Sequence, residues 1–353
     1  ARITAANWVL QFSIITFVIN LISVPYNAAI IAHEKMSAFA YISILEVLGK
    51  LAIAFLIIES PIDKLIFYAI LMCSVAVVVR LTYGHYCKKH FTECSYHFHW
   101  DKDVLKQMFG FAGWNFIGAS SAVLKDQGVN VVINMFTCPA VNAARGIAMQ
   151  VNGAIYNFVQ SFMTALNPQI TKSYAANNHK YMMALIFQGS RLSYYILMVL
   201  ALPVIINADY ILYLWLKIVP EHTVSFVQLV LLFSMSETIS LPLVTAMLAT
   251  GKIKKYQIIV GGLQVLNLPI AYILLKFNFA VELVFVVAIV ISQLCLLARL
   301  HLLRGMIGLH AREFLRKVYF NVLIVTILAG GVPFYLHHFL SSGAISFLFQ
   351  CLV

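Results

Sequence analysis

The chain has 353 residues, 62% of them hydrophobic and only 10% charged, with a formal net charge of +11. Soluble domains carry about 25% charged residues, so this composition excludes one. The apolar residues fall in runs of about twenty or more, long enough to cross a hydrocarbon core, and the period-two segments of a β-barrel are not seen.

The expected fold class is therefore all-α, a polytopic transmembrane helical bundle of about 10–11 membrane helices. In chain order the spans are expected at 7–32, 38–58, 62–84, 105–136, 141–166, 181–206, 223–250, 254–275, 280–303 and 314–336, with a partial helix after them. The chain opens without Met and stops inside an apolar run at 345–353, so both ends read as cut. Basic residues gather in alternate loops: Lys35, Lys88, Lys89, Lys102 and Lys106 group with Lys172, Lys180, Lys252, Lys254, Lys255, Arg299, Arg304, Arg312, Arg316 and Lys317. The loops between hold few, such as Lys64, Lys217 and Lys276. This positive-inside pattern makes the rich loops cytoplasmic and puts the first residue outside. The excess charge reports topology, and no nucleic-acid partner is expected.

The first spans raise two questions. Pro25 sits mid-span, and proline removes a helical hydrogen bond and kinks the chain. It recurs at Pro242 within an internal repeat: SVPYNAAIIAHEKMSAFAYI at 23–42 is similar to SLPLVTAMLATGKIKKYQII at 240–259, and Arg80 falls on Arg299. The copies run the same way through the membrane, as parallel repeats. Pro25 and Pro242 are thus hinge candidates, or static packing kinks. Glu46 and Lys50 lie one turn apart, either as a self-satisfied ion pair or as an ion-coupling and cavity pair. Their repeat counterparts are Leu263 and Asn267.

Between 85 and 103 lie His85, Cys87, His90, Cys94, His97 and His99, but no standard zinc-ligand spacing is present. The six cysteines show no framework spacing, so neither metal nor disulfide is expected.

The stretch 111–168 is the most informative. Its first helix carries Asn115, Asp126, Asn130 and Asn134 on one arc, with Lys125 on the flank. Adjacent Lys125 and Asp126 should point about a hundred degrees apart and not satisfy each other fully. Its second helix carries Asn142, Arg145, Met149, Asn152, Tyr156, Gln160, Thr164 and Asn167 at spacings of three and four, one face from end to end. Facing lipid, such a stripe would strand amides and charges. It should line a cavity instead, with Arg145, near the outer end of its helix, either part of that lining or snorkelling to headgroups. Farther on, Arg191 reads as a headgroup contact. Glu237, with Ser234 and Thr245, should face inward, either as a third ion-coupling candidate beside Glu46 and Asp126 or as a bond to a neighbouring helix. No phosphate-binding loop, nucleophile motif or hydrolytic carboxylate pair is present, so no enzyme is expected.

Taken together, ISVPYNAAIIAHEKMSAFAYISILEV, GWNFIGASSAVLKDQGVNVVINMF, VNAARGIAMQVN, TALNPQITKSYA and ATGKIKKYQIIVGG resemble bacterial polysaccharide flippases of the O-antigen and capsule type. These belong to the multidrug/oligosaccharidyl-lipid/polysaccharide exporter superfamily, which is MATE-like. The resemblance implies two six-helix lobes around a cavity. Residues 1–84 would be the rear half of the N-terminal lobe, 85–103 a cytoplasmic loop, 104–304 the C-terminal lobe and 311–353 additional helices. The first three helices of such a protein would then be missing. It also implies alternating-access transfer of undecaprenyl-pyrophosphate-linked oligosaccharide across the bacterial inner membrane. Membrane lipids and a polysaccharide polymerase would be its partners. The cavity set is Lys50, Asn115, Lys125, Asp126, Asn130, Arg145, Asn152, Tyr156 and Gln160. No cofactor is expected; H+ or Na+ coupling is left open. The competing reading is a cation-coupled multidrug antiporter on the same fold.

Overall fold

Polar residues just ahead of apolar runs start several helices. Asp63 accepts the Leu65 N–H at 2.9 Å, Asp101 accepts those of Asp103 and Val104, and Asn178 accepts that of Tyr181 at 3.1 Å. Each covers an amide that the first turn leaves without a partner. Pro139 opens another helix, where its missing N–H removes no helical bond. Glycine in the left-handed region ends two more, Gly251 (φ 69°) and Gly308 (φ 72°).

A computed structural model describes residues 2–60, 63–94 and 100–339, and the regular structure there is helical. His97, His99, Cys351 and the final apolar run lie outside the described residues. The chain divides into two units, Ala1–Trp100 and Asp101–Val353, each taken by itself below.

Unit 1 holds α1 (Arg2–Ala32), α2 (Met36–Leu56) and α3 (Lys64–His90). Helices α1 and α2 both pack on α3. Ile30, Ala38, Ile42, Val79, Tyr83 and Cys87 make a core where α1 ends and α2 begins. Helix α3 continues six residues past the expected end at 84, so the start of the anticipated 85–103 loop is helical.

Unit 2 begins with α4 (Lys102–Val123) and α5 (Val129–Phe136), joined through a π-helical turn at Leu124–Gly128. Next come α6 (Pro139–Ala175), α7 (His179–Ile206), the short α8 (Ala208–Leu216), α9 (Thr223–Thr238) and α10 (Leu241–Ala249). A broken span follows: α11 (Lys254–Tyr256), a π turn at Gln257–Gly261, α12 (Gly262–Val265) and α13 (Asn267–Lys276). Last are α14 (Glu282–Ile307), α15 (Ala311–Phe314), a π turn at Leu315–Tyr319 and α16 (Phe320–Phe339). The core runs where α6 packs on α7 and α9, and α9 on α14, around Phe226, Leu197, Leu231 and Ile186. Helix α16 lies on α7, tied by Tyr194 to Thr326 at 2.8 Å and Tyr195 to Asn321 at 2.6 Å.

Among the described residues, seven helices are long and apolar enough to cross a membrane, or eight if the bent pair α9–α10 is one span. Two long elements fall outside that set, α4–α5 and α6, and these carry the polar stripes. They and the segment past Phe339 account for the difference from the expected count. Helix α6 has 37 residues, about 55 Å at 1.5 Å per residue, more than a bilayer's hydrocarbon thickness. It passes through Pro168 to Ala175, beyond the expected end at 166.

The two hinge candidates occupy different local structures. Pro25 lies inside the unbroken α1. Pro242 lies in the first turn of α10, just after a 40° bend from α9. Lacking an N–H, Pro242 cannot bond the Thr238 carbonyl one turn back, which favours a break there. Matching repeat positions therefore do not give matching kinks.

Candidate functional site

The π turn at 124–128 shapes the site. Its hydrogen bonds reach one residue farther than in an α-helix, so each residue turns through a smaller angle, and such bulges frequently mark functional positions. Lys125 Nζ lies 3.6 Å from Asp126 Oδ1, beyond hydrogen-bond range, so the two neighbours do not satisfy each other fully. The same ammonium lies 4.8 Å from the centre of the Phe233 ring, within cation–π range. From α6, Arg145 reaches back and donates from Nη2 to the Asp126 carbonyl at 3.0 Å. Its Nε is buried without a protein partner.

These groups line one cavity of about 240 Å³ between α5, α6, α9, α13, α14 and the π turn. Lys125, Asp126, Arg145, Asn152, Tyr156 and Glu237 all face it, joined by Phe233, Ser234 and Asn267. Asn152 Oδ1 and Asn267 Oδ1 are buried there without a partner. Glu237 accepts the Ser292 hydroxyl at 2.6 Å and lies 3.9 Å from Arg299 Nη1. Ser292 in turn meets Ser236 at 2.9 Å, and Tyr319 donates to Gln293 Oε1 at 3.1 Å.

Arg299 corrects the sequence expectation. Counted among the loop cations, it is only 2% exposed, within α14 and beside Glu237. A charge inside a span costs about 2.5–3.5 kcal/mol on insertion scales, so it needs a partner. The repeat carried the signal, since Arg80 and Arg299 match inside corresponding spans. Arg80 also turns inward, with its guanidinium 4.0 Å from the Tyr26 ring centre. Asn267 was legible only as the counterpart of Lys50, and Phe233 carried no sequence signal.

Other expected cavity residues lie elsewhere. Asn115 accepts the Gln257 amide at 3.4 Å across the α4 contact with the second π turn. Asn130 and Gln160 do not line the cavity; Gln160 is exposed. Lys50 bonds Glu46 at 2.6 Å within unit 1, and both line a separate cavity of about 90 Å³ with Thr16 and Asn20. Thr245 donates to Asn167 at 2.7 Å instead of reaching Glu237.

Residues 129–273 match the MatE family model. No curated protein and no solved structure matches the chain. The matched segment runs from α5 into α13, and so contains Arg145, Asn152, Tyr156, Glu237 and Asn267. The match likens this segment, under half of a helical protein with several candidate membrane spans, to the MatE transporters.

Proposed function

We propose that the protein is a flippase that carries lipid-linked oligosaccharide, of the undecaprenyl-pyrophosphate kind, across a bacterial inner membrane by alternating access for polysaccharide assembly. One observation carries this reading. Each carboxylate of the cavity has a cation: Asp126 has Lys125, and Glu237 has Arg299. Arg145 makes no carboxylate pair among the described residues, and its guanidinium rests on a backbone carbonyl with Nε unused. With Arg299 behind Glu237, outside the cavity lining, the groups in and around the cavity hold one surplus cation of the type that forks onto phosphate oxygens. A diphosphate linkage supplies that anion. Asn152, Tyr156 and Asn267 are placed to take sugar hydroxyls, while the lipid tail stays in the bilayer. Glu237 and Asp126 are the groups to which H+ or Na+ coupling is assigned, and polymerase enzymes are the natural consumers of the product.

A second reading, export of organic cations, draws on Phe233 and the part-exposed Glu237, which together would suit a cationic ligand. Expression of the native gene in a strain lacking its own polysaccharide flippase separates the two. Restored surface polysaccharide without resistance to cationic dyes supports the flippase. Dye resistance without polysaccharide overturns it.

A further inference from the structure

A second cavity of unit 2 has no part in the reading above. It measures about 570 Å³, and Lys252, Lys254, Lys255, His301, Leu302 and Met306 form its walls. It lies where α10 turns into α11 and where α14 approaches its end. Gly251, at φ 69°, makes that turn. Ile253, 2% exposed, plugs into the core between two lysines. The buried Ile253 pins the backbone, while Lys252 and Lys254 on either side of it remain exposed. The Lys254 ammonium lies 5.3 Å from the centre of the Trp114 ring. No carboxylate lines the cavity, and none of the three lysines forms an ion pair among the described residues.

Three exposed ammonium groups with no carboxylate among them make a positive patch that attracts an anion. The depth of the site says which anion. One candidate span begins at Lys254 and another ends at Ile307, so the cavity sits at the end of two spans, where headgroups lie. Tryptophan is enriched at that level. Leu302 and Met306 add an apolar wall that a small soluble anion would not use, but that the glycerol and first methylenes of a lipid would cover.

We propose that this cavity binds the phosphate headgroup of an anionic phospholipid from the lysine-rich leaflet. Lys252, Lys254 and Lys255 hold the phosphate, and Gly305 leaves room for the glycerol. A side chain at Gly305 would enter open space, with nothing within 4 Å of its Cβ. The inference does not depend on what the transporter carries.

The test is native mass spectrometry of the intact, detergent-purified chain titrated with phosphatidylglycerol or phosphatidylcholine. Wild type should retain phosphatidylglycerol preferentially. Each lysine near an anionic lipid strengthens binding about fivefold, so the triple Lys252→Gln, Lys254→Gln, Lys255→Gln variant should bind about 150-fold more weakly. Gly305→Phe keeps every charge but fills the space, and should show a comparable loss. Unchanged phosphatidylglycerol binding by Gly305→Phe overturns the proposal, as does equal retention of both lipids by wild type. Farnesyl pyrophosphate serves as competitor. Displacement of phosphatidylglycerol at a tenth of the lipid's own concentration would reassign the site to an isoprenoid pyrophosphate and also overturn the proposal.

Discussion

Arg145 is where the transport reading is most exposed to refutation. In Arg145→Gln the side chain loses its charge and its fork but keeps hydrogen-bonding capacity. The structure lets the effects on folding and on transport be separated. On the folding side, the variant gives up one bond from Nη2 to the Asp126 carbonyl at 3.0 Å. A hydrogen bond to a charged group contributes about 1.5–3 kcal/mol. Placing the charge inside a span costs about 2.5–3.5 kcal/mol. The two largely offset, so stability should fall by no more than about 0.5 kcal/mol and rise by no more than about 2 kcal/mol. On the transport side, nothing offsets the loss, because Lys125 and Arg299 are already committed to carboxylates. A lost charge-assisted bond to the diphosphate, again about 1.5–3 kcal/mol, should slow transport about 10- to 100-fold. Arg145→Lys, which keeps the charge without the fork, should fall between. The assay is transfer of a lipid-linked oligosaccharide in proteoliposomes, with unfolding of each variant followed in parallel. Wild-type transport by Arg145→Gln at equal folded yield would refute the surplus-cation argument.

Lys125→Ala should also lower transport, and should free Asp126 to bind cations, read as a gain in dye binding by equilibrium titration. Glu237→Gln leaves Arg299 buried without its counter-charge and should destabilise unit 2 by about 3–5 kcal/mol; the paired change Glu237→Leu with Arg299→Met should recover most of that in a melting experiment. Gly189→Ala would bring a Cβ to 2.4 Å from Leu166 and 3.2 Å from the Pro242 ring; a proline ring cannot swing away, so a loss of about 1–3 kcal/mol is expected in the same experiment. In unit 1, a hydrogen bond from His33 holds the exposed Glu93 carboxyl below its ordinary value of 4.5. The contribution of that contact is therefore full above about pH 4.5 and lost as pH falls through the lowered value. Melting temperatures of wild type and Glu93→Gln, measured from pH 7 down to pH 3, should converge at the acid end.

Much of the fold was legible because membrane helices need long apolar runs and because capping residues mark their starts. What escaped has a local cause in each case. Periodicity assumes a uniform 3.6-residue turn, and three π turns among the described residues break that assumption, the one at Leu124–Gly128 within the stripe that carries Lys125 and Asp126. Hydropathy cannot distinguish a helix-end arginine in a loop from one folded inward, so Arg299 was counted with the loop cations. Stripe membership likewise does not fix which part of a stripe faces an opening. Along α6 the cavity takes Arg145, Asn152 and Tyr156 but not Gln160, which is exposed.

The repeat sharpens that lesson into an argument about where the chemistry sits. At one matched position, Lys50 lines the cavity of about 90 Å³ in unit 1 and Asn267 the cavity of about 240 Å³ in unit 2. At another, Arg80 stacks on Tyr26 while Arg299 is buried beside Glu237. The arginine position packs against neighbouring groups in both copies, whereas Lys50 is exposed and Asn267 buried. Their charges differ. In unit 1 the cation Lys50 is neutralised by Glu46 on its own helix, one turn away and about half exposed. Such a pair contributes little and is available in almost any helix. In unit 2 the charges come from α6, α9, α14 and the π turn, and pairing them leaves Arg145 over. A surplus charge assembled from several elements cannot be explained by the stability of any single helix, which is why the anion-binding role is assigned to unit 2.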